Sequence, residues 1–142
     1  MPNDSEIAAV ERYIHATASS STTPEELAAL VHPEVQVTIH PNIAAPTGTR
    51  STLPEMQAGL KAGQSLMAWQ KYDIHGHDLP VPDRVISRTT WTGELAVDLG
   101  PWPAGTRLRA EIAMFFSLRN GLIYRQENFD CYHVPATPAP PE

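Results

Sequence analysis

The sequence is poor in the residues on which several common kinds of site depend. Cys131 is the only cysteine among 142 residues, so the chain can form neither an intrachain disulfide nor a zinc site built from several thiolates. Its 10 basic residues are outnumbered by 16 acidic ones and form no basic cluster. Because phosphate binding depends on grouped Lys and Arg, we expect no nucleic-acid partner.

Long apolar runs and nucleotide-binding motifs are also missing. No run approaches the roughly 20 apolar residues of a membrane-spanning helix, and the N-terminus from Met1 to Glu6 is polar and acidic, unlike a signal peptide. We therefore expect a cytoplasmic protein with no membrane partner. The glycine-rich dinucleotide motif, the P-loop and the nucleophile elbow are absent as well, so we expect any chemistry to proceed without a cofactor.

The overall composition is that of a folded chain. Hydrophobic residues make up 42% of the sequence and charged residues 18%, which is typical of globular proteins. A chain of this length predicts one domain with one core, and we place it at residues 1–134. Residues 135–142 are mostly Pro and Ala and are predicted to be an extended or disordered tail.

Three segments carry helix signals. Ile7, Val10 and Ile14 repeat at helical spacing. Thr23 precedes a proline and stands three positions before a glutamate, which predicts a capped second helix with apolar positions continuing to Val31. Thr52 and the glutamate three positions later form a second such capping box and predict a third helix.

The remaining elements are predicted to be strands. Alternating or β-branched residues indicate strands at 35–39, 69–77, 84–97, 107–119 and 122–133, with residues 42–50 as a loop. The last two strands flank Asn120-Gly121, a strong hairpin signal because both positions tolerate positive φ. The order predicts an α+β fold, a cone-shaped curved antiparallel sheet with three N-terminal helices packed on its concave face.

Several local motifs occur in an order that resembles the SnoaL-like branch of the nuclear transport factor 2-like superfamily. They are His32-Pro33-Glu34, a strand ending at His40-Pro41, Trp91-Thr92-Gly93, Pro103-x-Gly105 and the run from Phe116 through Asn120-Gly121 to Phe129-Asp130. The resemblance covers roughly residues 6 to 133 and implies the cone-shaped fold, often dimeric. Relatives include polyketide cyclases, ketosteroid isomerases, epoxide hydrolases and proteins without catalysis, so function must be argued from the site.

The resemblance also implies where proton-transfer groups would stand. The acid/base aspartate of cyclases and epoxide hydrolases on the last strand corresponds to Asn128, and the cyclase histidine on the preceding strand maps near Met114. Neither an amide nor a thioether can shuttle a proton. Asp130 and Glu127 lie nearby, and a strand bulge could bring either into the pocket.

Two residues are the candidate catalytic groups. Asp130 lies on the last strand, and His40 resembles the histidine at the family's pocket rim; the alternative for His40 is an ordinary turn histidine. In the first hypothesis one of them moves a proton on a small hydrophobic molecule, polycyclic or carbonyl-bearing, while Asn128 and Tyr132 orient an oxygen. The alternative is a ligand-binding or dimerisation module without chemistry. For either function, we expect a homodimer.

A second group of residues is predicted to line an apolar pocket, although large apolar side chains more often fill a core. The pocket candidates are Tyr13, Trp69, Tyr72, Arg88, Trp91, Met114, Phe116, Asn128 and Tyr132.

Strand parity across the last hairpin predicts a polar cluster. Counting from the two-residue turn places Glu111, Asn128 and Asp130 on one face, where close carboxylates would have raised pKa values. The alternative is an exposed or dimer-facing stripe, since a one-residue bulge exchanges the faces.

Two histidines raise the question of a metal. His75 and His77 share a strand face with acids nearby, but nothing completes a set of ligands. We expect a solvated strand end and no metal.

Overall fold

The computed structural model describes residues 4–135, and the part of the predicted tail from residue 136 onward lies outside them. Three helices and six strands follow one another along the chain. Their bounds are α1 Asp4–Ala18, α2 Pro24–Ala28, β1 Val31–Ile39, β2 Thr49–Ser51, α3 Leu53–Leu66, β3 Met67–Asp78, β4 Arg84–Leu95, β5 Arg107–Arg119 and β6 Leu122–His133.

The six strands form one curved, unclosed sheet in the order β2-β1-β6-β5-β4-β3. Neighbouring strands are antiparallel except β1 and β6, which run parallel. The helices pack on one side of this sheet, with α1 against β3, β4 and β6 and α3 against β1 and β3. The predicted α+β class is confirmed; the sheet is antiparallel apart from this one pair.

The helix ends follow the capping chemistry that the sequence predicts. At α2 the side chain of Thr23 accepts from the backbone N–H of Glu26, whose carboxylate accepts from the backbone N–H of Thr23. At α3 the Glu55 carboxylate accepts from both the backbone N–H and the hydroxyl of Thr52. These bonds give partners to N–H groups at the helix starts that would otherwise lack them.

The hairpin between β5 and β6 also forms as predicted. Asn120 and Gly121 adopt φ values of 54° and 76°, the left-handed conformation that a two-residue hairpin turn requires. Both strands have the bounds expected from the sequence.

Three local predictions were wrong. The second helix ends at Ala28, and Val31 begins β1 instead of extending the helix. The predicted loop at 42–50 contains the start of β2, a three-residue strand too short to show a period. The strand predicted at 84–97 ends at Leu95.

The core lies between the helices and the inner face of the sheet. Val10 and Ile14 of α1 are fully buried and pack with residues such as Val85, Phe116 and Ile123 from the strands. The inner face of the sheet is thus the surface that can hold a buried site.

Candidate functional site

The inner face of β6 carries an unusual row of polar side chains. Gln126 and Asn128 are buried, and Asp130 and Tyr132 are half-buried. On β5 the residues directly opposite are Phe116, Met114, Ile112 and Ala110. The polar row of β6 therefore lies beside an apolar row of β5, and the helices cover this side of the sheet.

A cavity of about 240 Å³ opens beside this row. Its apolar wall comes from α1, α2, α3, β1 and β5, and its polar part from β6, two tyrosines, Thr17 of α1, Ser51 of β2 and the start of α3. The lining residues are Tyr13, Ile14, Thr17, Leu27, Val37, Ile39, Ser51, Glu55, Met56, Gly59, Leu60, Tyr72, Met114, Gln126 and Asn128.

A directed hydrogen-bond chain runs along the polar wall. The hydroxyl of Tyr13 donates to Gln126 Oε1 at 2.5 Å, and Gln126 Nε2 donates to Asn128 Oδ1 at 2.9 Å. The Asn128 side chain in turn hydrogen-bonds to Asp130. Since each amide has one acceptor end, the tyrosine donor fixes the orientation of both amides.

Asp130, at the end of this chain, lies beyond the residues that form the cavity wall. Its Oδ1 is buried and has no hydrogen-bond partner among residues 4–135. Burial raises the pKa of the Asp130 carboxyl, and the hydrogen bond from Asn128 partly opposes that shift. An acceptor of this kind is uncommon, because buried polar atoms are nearly always paired.

Two phenol groups, those of Tyr72 and Tyr132, lie near the carboxyl. Burial raises the pKa of Tyr132 to about 12, and the negative charge of Asp130 adds to the shift. The pKa of Tyr72 is also raised, first by burial and then by Asp130. Burial likewise raises the pKa of Tyr13, so all three phenols stay neutral over the ordinary pH range.

The structure brings together six of the predicted pocket and catalytic residues and leaves others near them. Tyr13, Tyr72, Met114 and Asn128 line the cavity, and Asp130 and Tyr132 lie next to them. Two further predicted residues are on the inner face outside the lining: Phe116 packs edge-on against Tyr13, and Trp91 against Tyr132.

His40 is separated from Asp130 by the sheet. Its Nε2 pairs with Glu127 Oε2 at 2.6 Å, and its ring stacks on Phe129 at 4.3 Å between centroids. Both partners are exposed residues of β6 that alternate with the buried ones. The two candidate catalytic residues therefore do not converge on one cavity.

Trp69 and Arg88 also lie away from the cavity. Trp69 is 37% exposed, and the guanidinium of Arg107 lies 5.6 Å from its ring. Arg88 is exposed on β4, on the face opposite to the buried Ser87 and Thr89. Neither side chain is placed to contact a molecule in the cavity.

The predicted cluster of Glu111 with Asn128 and Asp130 does not form. Glu111 stands opposite Cys131 on the outer face, where its carboxylate accepts from Thr90 and Arg109. The reason is a one-residue bulge: Ser117 pairs with Arg125 and Leu118 with Ile123, which leaves Tyr124 as the extra residue. The bulge shifts the parity of the hairpin and exchanges the faces.

His75 and His77 have protein partners instead of a solvated position. His75 bonds to Thr90, and the His77 ring, 8% exposed, bridges Ser87 and Glu11. The prediction of a solvated strand end is therefore wrong for His77. Among residues 4–135 no group of three His, Cys, Asp or Glu side chains could hold a metal ion.

The outer face of the sheet has a larger recess of about 520 Å³ beside Phe115, Arg84 and Arg125. It adjoins the exposed rings of Phe115 and Phe129, whose centroids are 5.7 Å apart. Within the described residues, this recess contains no buried side-chain N or O atom that lacks a hydrogen-bond partner, whereas Asp130 on the inner face has one.

Sequence reasoning missed several residues of the site. Gln126 and, on α3, Glu55, Met56 and Gly59 line the cavity but are not among the predicted site residues. Met56, Gly59 and Leu60 follow helical spacing, which predicts a shared face but not that the face borders a cavity.

None of the helices in the described part of the chain combines the length and apolar character needed to span a membrane. A comparison with curated proteins found no match.

Solved structures share the architecture. A phenazine biosynthesis-related protein of Pseudomonas aeruginosa aligns with a TM-score of 0.73 and 11% identity, over 91% of this chain and 80% of that chain. IdmH of Streptomyces antibioticus, described as a candidate polyketide cyclase, aligns with a TM-score of 0.68 and 18% identity, over 92% and 91%.

A third similar structure comes from Catenulispora acidiphila and has a ketosteroid isomerase-like fold. It was determined in complex with trimethylamine and aligns with a TM-score of 0.67 and 15% identity, over 84% of this chain and 82% of that chain. The cone of helices on a curved sheet is thus the ketosteroid isomerase-like fold. The sequence pattern of the SnoaL-like domain family matches residues 10–126, and the chain belongs to that family.

Proposed function

We propose that the protein binds a compact, mainly apolar small molecule in the cavity between α1, α3 and β6. The observation that carries the proposal is the contrast within the cavity wall. Apolar side chains form most of it, while Tyr13, Gln126 and Asn128 form one ordered polar stripe. Apolar walls with a few fixed polar groups are what small-molecule sites usually present.

The size of the cavity supports a small ligand. Pockets for drug-sized molecules measure about 300–1,000 Å³, whereas this cavity measures about 240 Å³. A single ring or a small branched molecule suits this space better than a polycyclic one. The trimethylamine in the similar Catenulispora structure is also compact.

Binding can be tested without knowing the natural ligand by titrating the isotope-labelled protein with cyclohexanone and recording amide and methyl NMR signals. We expect the largest shifts at Ile14, Leu60, Met114 and Asn128. Shifts confined to the outer face, around Phe115 and Phe129, or no saturable shifts at all would contradict the proposal.

A second function, cofactor-independent acid/base catalysis, is favoured by one observation at Asp130. Its Oδ1 is buried and has no hydrogen-bond partner among the described residues, and its pKa is raised. Carboxyl groups that transfer protons commonly have such properties. In this proposal Asp130 moves the proton, and Asn128 and Tyr132 orient an oxygen of the substrate. His40 has no part in it, because it lies on the other side of the sheet.

Proton transfer can be measured as deuterium incorporation at the carbon beside the carbonyl group of cyclohexanone in heavy water. We expect the wild-type protein to accelerate this exchange, Asp130→Asn to abolish the acceleration, and the exposed control Asp73→Asn to retain it. Full activity in Asp130→Asn would exclude Asp130. Saturable binding without exchange would leave a ligand-binding module as the function.

We further propose that the outer face of the sheet joins two copies of the chain. Phe115 and Phe129 are 39% and 43% exposed at its centre, and contiguous exposed apolar area often marks an interface. Glu111, Glu127 and Arg88 supply charges of both signs around them, as a self-complementary two-fold contact requires.

With a single exposed cysteine and no disulfide, the chain also suits the cytoplasm.

A further inference from the structure

The charges around the cavity restrict what can bind there. Glu55 is the one charged residue among the described residues that line it, and Asp130 follows the lining residue Asn128 on the same inner face of β6. The described lining contains no Lys, Arg or His. A buried anion would therefore lose its hydration without gaining a cationic partner.

The two acids differ in how well they are paired. Glu55 Oε1 accepts from the backbone N–H and the hydroxyl of Thr52, and these bonds lower the pKa of Glu55, which keeps it ionised at the cavity. Asp130 has only the Asn128 side chain as a donor, and its Oδ1 has no partner in the described part of the chain.

The hydrogen-bond chain prevents the neighbouring amides from turning to supply the missing donor. Tyr13 fixes the orientation of the Gln126 amide, and Gln126 fixes that of the Asn128 amide. The donor end of Asn128 is thereby directed at Asp130. The phenols of Tyr72 and Tyr132 add electron-rich ring faces nearby. A positively charged group in the cavity would be attracted by the carboxylates of Asp130 and Glu55 and would also interact favourably with the rings.

We propose that the ligand of this cavity is a compact protonated amine, whose ammonium group is directed toward Asp130 and whose apolar part fills the space between α1 and α3. The proposal rests on the binding function proposed above and specifies its ligand class. It requires no covalent step, because the amine binds in the protonated form that it has in water.

The test uses probes of matched size. Isothermal titration calorimetry near neutral pH compares the affinities of the full chain for benzylamine, benzyl alcohol and benzoate. We expect benzylamine to bind roughly tenfold more tightly than benzyl alcohol, or better, since a hydrogen bond to a charged group contributes more than one to a neutral group. Benzoate is expected not to bind.

Matched variants locate the source of the preference. Asp130→Asn should reduce benzylamine to the affinity of benzyl alcohol, Glu55→Gln should reduce the preference less, and Asp73→Asn should leave it unchanged. The wild-type protein supplies a measurement that needs no variant: benzylamine affinity should fall as Asp130 is protonated at lower pH. The groups near Asp130 from β3 and β6 are Tyr72, Tyr132 and Asn128, none of which titrates over that range.

Equal affinities for benzylamine and benzyl alcohol would overturn the proposal, as would a preference that survives Asp130→Asn. The two proposals fail separately. If benzyl alcohol binds with no amine preference, the cavity remains a ligand site and only the ligand class is wrong. If none of the three probes binds, both proposals are contradicted.

Discussion

Asp130 has the most unusual environment of any side chain on the inner face. Neighbouring Gln126 and Asn128 are more deeply buried than Asp130, but their polar atoms take part in the chain from Tyr13. Within residues 4–135 one oxygen of Asp130 has no hydrogen-bond partner, and burial raises the pKa of this carboxyl. A group held in an unfavourable state by its surroundings is a common feature of functional sites.

The raised pKa of Asp130 has a consequence for stability. The folded protein holds this proton more tightly than the unfolded chain does, so the contribution of Asp130 is fully present below its ordinary pKa and is lost as pH rises through the raised value. Asp130→Asn removes the titration. We expect the free energy of unfolding of the variant to increase relative to wild type as pH rises from the unfolded-state pKa of about 4 through the raised pKa of folded Asp130.

Urea unfolding at a series of pH values measures this difference. Asp73→Asn, at an exposed carboxylate on β3, is the control and should show no such rise. A constant difference between Asp130→Asn and wild type across the series would show that the carboxyl is not perturbed by burial.

At the scale of elements, signals contained in a few adjacent residues were predicted well. Thr23, Thr52 and Asn120-Gly121 define helix starts and a hairpin by local hydrogen bonding and backbone geometry alone, and all three form as expected. The short strand β2 gave no such signal. Its three residues are ordered by pairing with β1, and rules based on a few adjacent residues do not describe such pairing.

The faces of β6 show where sequence reasoning stops. Strand parity places Asn128 and Asp130 on one face, as the structure does, but it gives the wrong cross-strand partners, because the bulge at Tyr124 shifts the pairing by one residue. Tyr124 is stabilised there by the guanidinium groups of Arg119 and Arg125, which lie 3.8 and 3.9 Å from its ring. Such contacts depend on the folded hairpin, so Glu111 was assigned to the wrong face and His40 was not separated from Asp130.

The capping box of α2 gives a prediction at this scale. Thr23→Ala removes the side-chain acceptor for the N–H of Glu26, and we expect a loss of about 1 kcal/mol in the free energy of unfolding. Thr22→Ala is the matched control, because Thr22 contributes its backbone carbonyl to Gln64 and not its hydroxyl. Equal unfolding midpoints for the two variants in urea would show that the cap contributes nothing.

For the whole molecule, the sheet separates two surfaces with different proposed roles. The inner surface carries the cavity and Asp130, and the outer surface carries Phe115, Phe129 and His40. Because the side chains of β6 alternate between the two surfaces, an interface on one side would hold the strand that carries the site on the other.

The proposed dimer predicts a change in mass. Phe129→Asp places a charge at the centre of the outer face, and we expect light scattering to report a monomer where the wild type is a dimer. Val97→Asp, at another exposed apolar residue, should remain dimeric. A monomeric wild-type protein at all concentrations would refute this interface.

The central claim is that the inner cavity is the ligand site, and Gly59 offers the most direct test of it. A Cβ at Gly59 meets nothing within 4 Å, and this residue lines the cavity, so Gly59→Leu should fill the space without straining α3. Gly63→Leu makes the same change one turn along, outside the lining. Titration with benzyl alcohol should show binding to wild type and Gly63→Leu and none to folded Gly59→Leu; undiminished binding to Gly59→Leu would contradict the account.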